Sequence, residues 1–206
     1  NQWHPIDDVS VAAKYGISGR YAIFVGRITR QKGLAHLLRA WADVPDEYGL
    51  VLCAGSADEV GIGAEFEELV RDLQVRRKNI WWIKDMLPQP ELIPLLTGAD
   101  LFLCPSIYEP LGIVNLEAMA CEVAVLASRV GGIPEVVADG STGKLIDYTP
   151  ESVRFESNLA AGIIEMMSNP EMLRAMGSAG RKRAIDEFGW EAVARTTISL
   201  YRSVLS

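Results

Sequence analysis

A doubly wound α/β domain on a mainly parallel sheet is what this sequence of 206 residues predicts. Short apolar runs alternate with segments of helical period, the pattern of repeated strand–helix–strand units. Turn signals separate the runs, and an apolar content of 49% is ample for a packed core. In chain order, a strand at Tyr21–Val25 leads to a helix at Leu34–Ala42, and Leu50–Ala54 leads to Ala64–Leu73. Ile80–Ile83 is followed by Glu91–Leu96, Leu101–Cys104 by Ile113–Cys121, and Val123–Ala127 by Pro134–Ala138. Lys144–Ile146 then precedes Glu151–Met167, and helices at Glu171–Glu187 and Glu191–Leu205 close the chain. These elements make a single Rossmann-like domain of about six strands over residues 20–189. Residues 1–19 are polar and poorly periodic and read as a linker, while residues 190–206 form a final helix.

Charge and cysteine usage narrow the partners. Lys plus Arg number 20 and Asp plus Glu 27, so the net charge is 20 − 27 = −7. Nucleic acid and anionic membranes, which need a basic face, are therefore not expected as main partners. Cys53, Cys104 and Cys121 stand singly in apolar segments, which fits buried thiols in a reducing cytoplasm. The start Asn1-Gln2-Trp3-His4-Pro5 has no charged-then-apolar preamble, and no apolar run approaches the roughly 20 residues of a spanning helix. No Asp-x-Asp or histidine cluster suggests a metal. His36 lies among Leu34, Leu37 and Leu38 and reads as a packed or surface side chain.

Two segments carry the chemistry. Glu109 and Glu117 frame Glu109-Pro110-Leu111-Gly112-Ile113-Val114-Asn115-Leu116-Glu117, which reads as a turn opening an apolar helix. Gly112 permits close backbone approach, and the free N–H groups around Leu111 to Ile113 at a positive dipole end suit a phosphate. Glu117, one to two turns further on among apolar neighbours, needs a polar partner if it is buried. The second segment, Gly26-Arg27-Ile28-Thr29-Arg30-Gln31-Lys32-Gly33, follows the first strand and holds Arg27, Arg30 and Lys32. In a doubly wound sheet the loops after the first and fourth strands meet at the switch point, so Arg27 and Lys32 are expected in front of the Gly112 helix end. Arg30 reads as loop solvation. The segment matches neither a Walker A loop nor the dinucleotide Gly-x-Gly-x-x-Gly fingerprint.

Three stretches in order resemble the C-terminal half of a retaining GT-B glycosyltransferase. They are Phe24-Val25-Gly26-Arg27 with Gln31-Lys32-Gly33, Pro105 to Gly112 with Glu117-Ala118, and Val130-Gly131-Gly132-Ile133-Pro134-Glu135. The resemblance runs from about Arg20 onward and is nearest to bacterial glycogen synthases of the short actinobacterial type. It implies a donor-binding domain for ADP-glucose, or UDP-glucose, acting on an α-glucan without cofactor or metal, with the acceptor held by an N-terminal half. A sugar phosphate acceptor, as in maltose-1-phosphate synthesis, and a non-catalytic nucleotide-binding module are the alternative readings. Arg27 and Lys32 are then implied to neutralise the diphosphate, and Glu109 to hold hydroxyls of the transferred glucose. Leu111, Gly112 and Ile113 orient sugar and phosphate, Glu117 takes the ribose, and Ile83 to Met86 lie near the base. Gly26, Pro110 and Tyr108 complete the donor set, although Tyr108 alone reads first as packing. Gly131-Gly132 reads either as a tight turn or as a backbone contact to the donor. Trp81 and Trp82 are adjacent strand residues, so they face opposite layers.

The last helix carries two neighbouring apolar stripes, Trp190, Val193, Thr197, Leu200, Val204 and Ala194, Ile198, Tyr201, Leu205. The resemblance implies that it crosses to the other half, so part of this face is expected to be exposed in the isolated chain.

Overall fold

The computed structural model describes residues 2–205. Its strands are β1 (Tyr21–Ile28), β2 (Gly49–Ala57), β3 (Ile80–Ile83), β4 (Leu101–Cys104), β5 (Ala124–Ser128) and β6 (Gly143–Ile146). They form one parallel sheet in the order β3-β2-β1-β4-β5-β6. The direction of strand addition reverses between β1 and β4, which puts the switch point where the sequence placed it.

Alternation along the strands sorts side chains into two cores. Ala22, Phe24, Leu50, Leu52, Leu101 and Leu103 face α2 (Leu34–Trp41), α3 (Val60–Arg76) and α7 (Ser152–Met167). Ile23, Val51, Cys53, Phe102, Cys104 and Val125 face α4 (Gln89–Thr97), α5 (Ile113–Ala120) and α6 (Ile133–Val136). Both faces of the sheet are thus covered, as a parallel sheet requires. Trp81 and Trp82 divide between the layers as the two-residue period demands, and Trp82 Nε1 donates to Ala54 O at 2.8 Å.

Three departures from the sequence reading bear on function. First, residues 1–19 contain a helix, α1 (Val9–Lys14), capped by Asp8, whose carboxylate accepts from Ser10 N at 3.0 Å. Trp3, Ile6 and Val11 pack against the α4 side, and Lys14 and Tyr15 reach Glu91 at 2.7 and 2.5 Å. Six residues give too short a run for a helical period to show. Second, β1 and β2 continue past the expected ends at Val25 and Ala54, with a register shift between Gly26 and Ile28. Third, β5 lies one residue later than expected, at Ala124–Ser128.

The helix α8 (Pro170–Asp186) packs on α5, and α9 (Trp190–Leu205) extends beyond it with Ala192 as its buried residue. Trp190 is 88% exposed, and Leu200, Tyr201 and Val204 are exposed with it, as the sequence led us to expect. No described helix is long and apolar enough to cross a membrane.

Candidate functional site

The loops after β1 and β4 touch at the switch point. Residues Arg30–Lys32 form a 3-10 turn, in which Thr29 Oγ1 accepts from Lys32 N at 3.3 Å, and Gly33 ends it in the left-handed region at φ 65°. A Cβ on Gly33 would stand 2.0 Å from Pro105 O, so only glycine lets the two loops pack this closely. Ile107 N donates to Gln31 O at 2.8 Å, and Lys32 Nζ lies 2.6 Å from Glu109 Oε2. Ser106, fully buried, adds a longer 3.4 Å hydrogen bond to the same Glu109 oxygen.

The segment Val130–Pro134 supports the Glu109 turn from below. Gly131 has φ 53°, and a Cβ there would lie 1.9 Å from Glu109 O. Gly132 N donates to that same oxygen at 3.1 Å, and a Cβ on Gly132 would come within 2.3 Å of Pro110 O. Both glycines are therefore contact surfaces for the carboxylate loop. The sequence reading offered a tight turn or a donor contact; the loop-to-loop contact is the third use, which needed the fold to be seen.

Gly112 caps α5 at φ 83° with no side-chain hydrogen bond, which leaves the first backbone N–H groups of the helix without intrahelical acceptors. Leu111 and Ile113 are exposed on either side. Tyr108 is exposed as well, so its packing reading does not hold. Further along, Glu117 is half-buried and has no hydrogen-bond or ion-pair partner among the described residues, and burial pushes its carboxyl above the ordinary carboxylate range. The polar partner that its apolar neighbours call for is thus not supplied by the described residues.

Arg27 differs from expectation. Its guanidinium is paired with Asp58 at 2.8 Å, on the far side of β1 from the Glu109 loop. The cause is the continued pairing of β1 with β2: the bulge at Arg27 re-aims its side chain, and Asp58 N donates to Ile28 O at 3.2 Å, bringing Asp58 alongside. Gly26 read as a strand end, which hid this.

Arg27 and Gly26 instead line a cavity of about 370 Å³ at the carboxyl ends of β1 to β3, together with Ser56, Lys84, Asp85 and Met86. Met86 is thus placed in it, whereas Ile83 is buried in the core and does not line it. Lys84 and Asp85 fall within the Ile83 to Met86 stretch expected near the base, whereas Ser56 was missed, because the sequence ended the second strand at Ala54 and the fold carries it on to Ala57. His36 bonds Glu156 at 2.8 Å and stacks edge-on with Phe155, a structural role. Among the described residues no group of His, Cys, Asp and Glu is arranged to hold a metal.

The Lys32 ammonium, an open helix N-terminus and an unpaired carboxylate, beside a cavity lined by Arg27 and Lys84, can together take a diphosphate and a diol. The family profile described as "Glycosyl transferases group 1" matches residues 13–183. The chain is 46% identical over 208 residues to α-maltose-1-phosphate synthase of Mycolicibacterium smegmatis, covering 98% of this chain and 54% of that protein. Sucrose-phosphate synthase from Thermosynechococcus elongatus superposes with a TM-score of 0.80 at 30% identity, over 99% of this chain and 50% of that one. The C-terminal domain of a glycosyl transferase group 1 family protein from Francisella tularensis shares the fold, with a TM-score of 0.76 at 21% identity, over 91% of this chain and 96% of that one. The chain spans about half the length of the curated relatives it matches.

Proposed function

The chain belongs to the glycosyl transferases group 1 family, and from that membership we propose that it is the donor-binding, C-terminal half of a glucosyltransferase acting on a sugar phosphate. The sequence reading put an α-glucan first and maltose-1-phosphate synthesis second. The 46% identity across nearly the whole chain to a maltose-1-phosphate synthase reverses that order. The donor is a nucleoside diphosphate glucose, ADP-glucose in the first instance, with UDP-glucose as the competing donor. The buried thiols Cys53, Cys104 and Cys121, none in a disulfide, suit a cytoplasmic setting.

The observation that supports this reading is the meeting of Lys32 and Glu109 in front of the α5 N-terminus. In it the diphosphate takes the Gly112 end of α5 and replaces Glu109 as the partner of Lys32, while Glu109, released, accepts from hydroxyls of the glucose. Lys32 then stabilises the charge that grows on the leaving nucleotide as the glycosidic bond breaks. Glu117 accepts from the ribose hydroxyls, which supplies the polar partner that its position lacks. Arg27 joins the diphosphate by leaving Asp58, and the base enters the cavity beside Met86. The acceptor hydroxyl bonds to the anomeric carbon on the face that the nucleotide leaves and gives its proton to the departing phosphate, so configuration is retained. Glu109, unlike the nucleophile of a two-carboxylate hydrolase, forms no covalent bond to the sugar.

The test is to join this chain to the N-terminal half of its own protein and follow labelled glucose from ADP-glucose and UDP-glucose. Transfer to glucose 1-phosphate in excess of transfer to glycogen supports the reading. Transfer to glycogen alone restores the first one, and binding of nucleotide with no transfer to any sugar leaves a binding module.

A further inference from the structure

Asn115, in the first turn of α5, has a side chain with no place in the reading above. It is fully buried, and neither Nδ2 nor Oδ1 has a hydrogen-bond partner within the protein. Buried amides are almost always paired, so an orphaned one is a feature to be explained. Its surroundings are the underside of the donor turn. Asn115 N donates to Gly112 O at 2.9 Å, and a Cβ on Gly112 would lie 2.5 Å from Nδ2. The Cys104 thiol also faces the amide, and a thiol satisfies an amide only weakly. Beside it Ser106 is buried with only long polar contacts, 3.6 Å to Cys104 Sγ and 3.4 Å to Glu109 Oε2. Above, Lys32 holds the same turn by the 2.6 Å pair to Glu109. The turn is therefore held by Lys32 above and by Gly131 and Gly132 below, and is held incompletely only where it lies over Asn115 and Ser106.

We propose that Asn115 is a positioning residue for the donor turn. When a nucleoside diphosphate occupies the α5 N-terminus and draws Lys32 away from Glu109, the Glu109–Gly112 turn settles toward α5, and the Asn115 amide pairs with its backbone. Hydrogen bonding that is unmet in the resting state and met in the occupied state favours occupation, because a ligand shifts an equilibrium by what differs between the two states. The inference rests on the functional reading above, but concerns a residue that does not touch the donor.

The 206-residue chain is titrated with ADP and with UDP by calorimetry, and its melting is followed with and without each nucleotide. Asn115→Leu, close in shape but apolar, is expected to raise the melting temperature of the free chain by about 2–5 °C and to weaken nucleotide binding about 10-fold. Asn115→Ser, which keeps a donor and an acceptor, recovers part of the affinity. A lower melting temperature in Asn115→Leu overturns the proposal, since the amide would then be satisfied in the resting fold, for instance by an internal water. Unchanged affinity in Asn115→Leu overturns it too. If Lys32→Ala weakens binding while Asn115→Leu does not, only the positioning role falls. If the wild-type chain binds neither nucleotide, the functional reading fails and this one falls with it.

Discussion

Lys32 Nζ lies 2.6 Å from Glu109 Oε2, joining two residues 77 positions apart whose side chains are only 23% and 12% exposed. Each is the other's partner, so in the proposed reading a bound donor exchanges one charge-assisted pair for another.

Lys32→Ala is expected to lower glucose transfer about 100- to 1,000-fold in the protein that carries both halves, the scale of losing one preorganised charge donor. Arg27→Ala should fall in the same range, since Arg27 is proposed to leave Asp58 for the diphosphate. Turnover within threefold of wild type in both variants would remove them from the mechanism.

Asp58→Asn separates the resting role of Arg27 from its working one. The Arg27–Asp58 pair is solvent-exposed, so its loss should change stability by less than about 1 kcal/mol in chemical denaturation. Nucleotide affinity, read by calorimetry, should hold or rise because Arg27 is freed. A fall in affinity would mean that Asp58 itself serves the ligand.

Gly131→Ala and Gly140→Ala form a matched pair. Both positions have positive φ, 53° and 75°, but a Cβ at Gly131 would stand 1.9 Å from Glu109 O whereas Gly140 has open space. Gly140→Ala should cost roughly 1–2 kcal/mol for the left-handed backbone alone. Gly131→Ala should cost clearly more and should also weaken nucleotide binding, because it displaces the Glu109 turn. Thermal melts and titrations on the two variants make the comparison.

The pH dependence of stability should report Glu117. Its carboxyl is raised by burial above 4.5, so the folded chain holds this proton more tightly than the unfolded chain. The Glu117 contribution is therefore full at low pH and is lost as the pH rises from 4.5 through the raised folded value. Glu117→Gln has no proton to lose, and its melting temperature relative to wild type should rise as the pH climbs from 4.5 through the raised folded value. A difference that is flat across this range would mean that the carboxylate is compensated in the fold.

Tyr201→Ser and Leu200→Ser test the exposed face of α9. These residues are 65% and 60% exposed, so each change should alter the stability of the isolated chain by no more than about 0.5 kcal/mol. Binding of a hydrophobic dye to the chain should drop. A large loss of stability would place this face in the chain's own core.

Much of the architecture was legible because it rests on local rules. Apolar runs such as Leu50–Ala54 and Leu101–Cys104 alternate with periodic segments, and that alternation gives a parallel sheet covered on both faces. The width of the apolar face of α9 was legible in its two stripes, but that part of it stays exposed was expected only from the family resemblance. Less legible were features with little local signal. The docked helix α1 is too short to show a period, and the β1–β2 pairing that carries Arg27 to Asp58 runs through a glycine that reads as a stop.

From residue types and spacing alone came the reagents: a lysine after the first strand, two carboxylates eight positions apart, and a glycine opening a helix between them. Which of these meet was settled by folding, because contact between residues far apart in the chain depends on strand order and loop approach. Gly33 against Pro105 and Gly131 against Glu109 allow the loops to close, and the sheet reversal at β1 and β4 puts them side by side. Direction and burial of individual side chains, Arg27 toward Asp58 and Asn115 beneath Gly112, follow from that packing, and no local pattern encodes them.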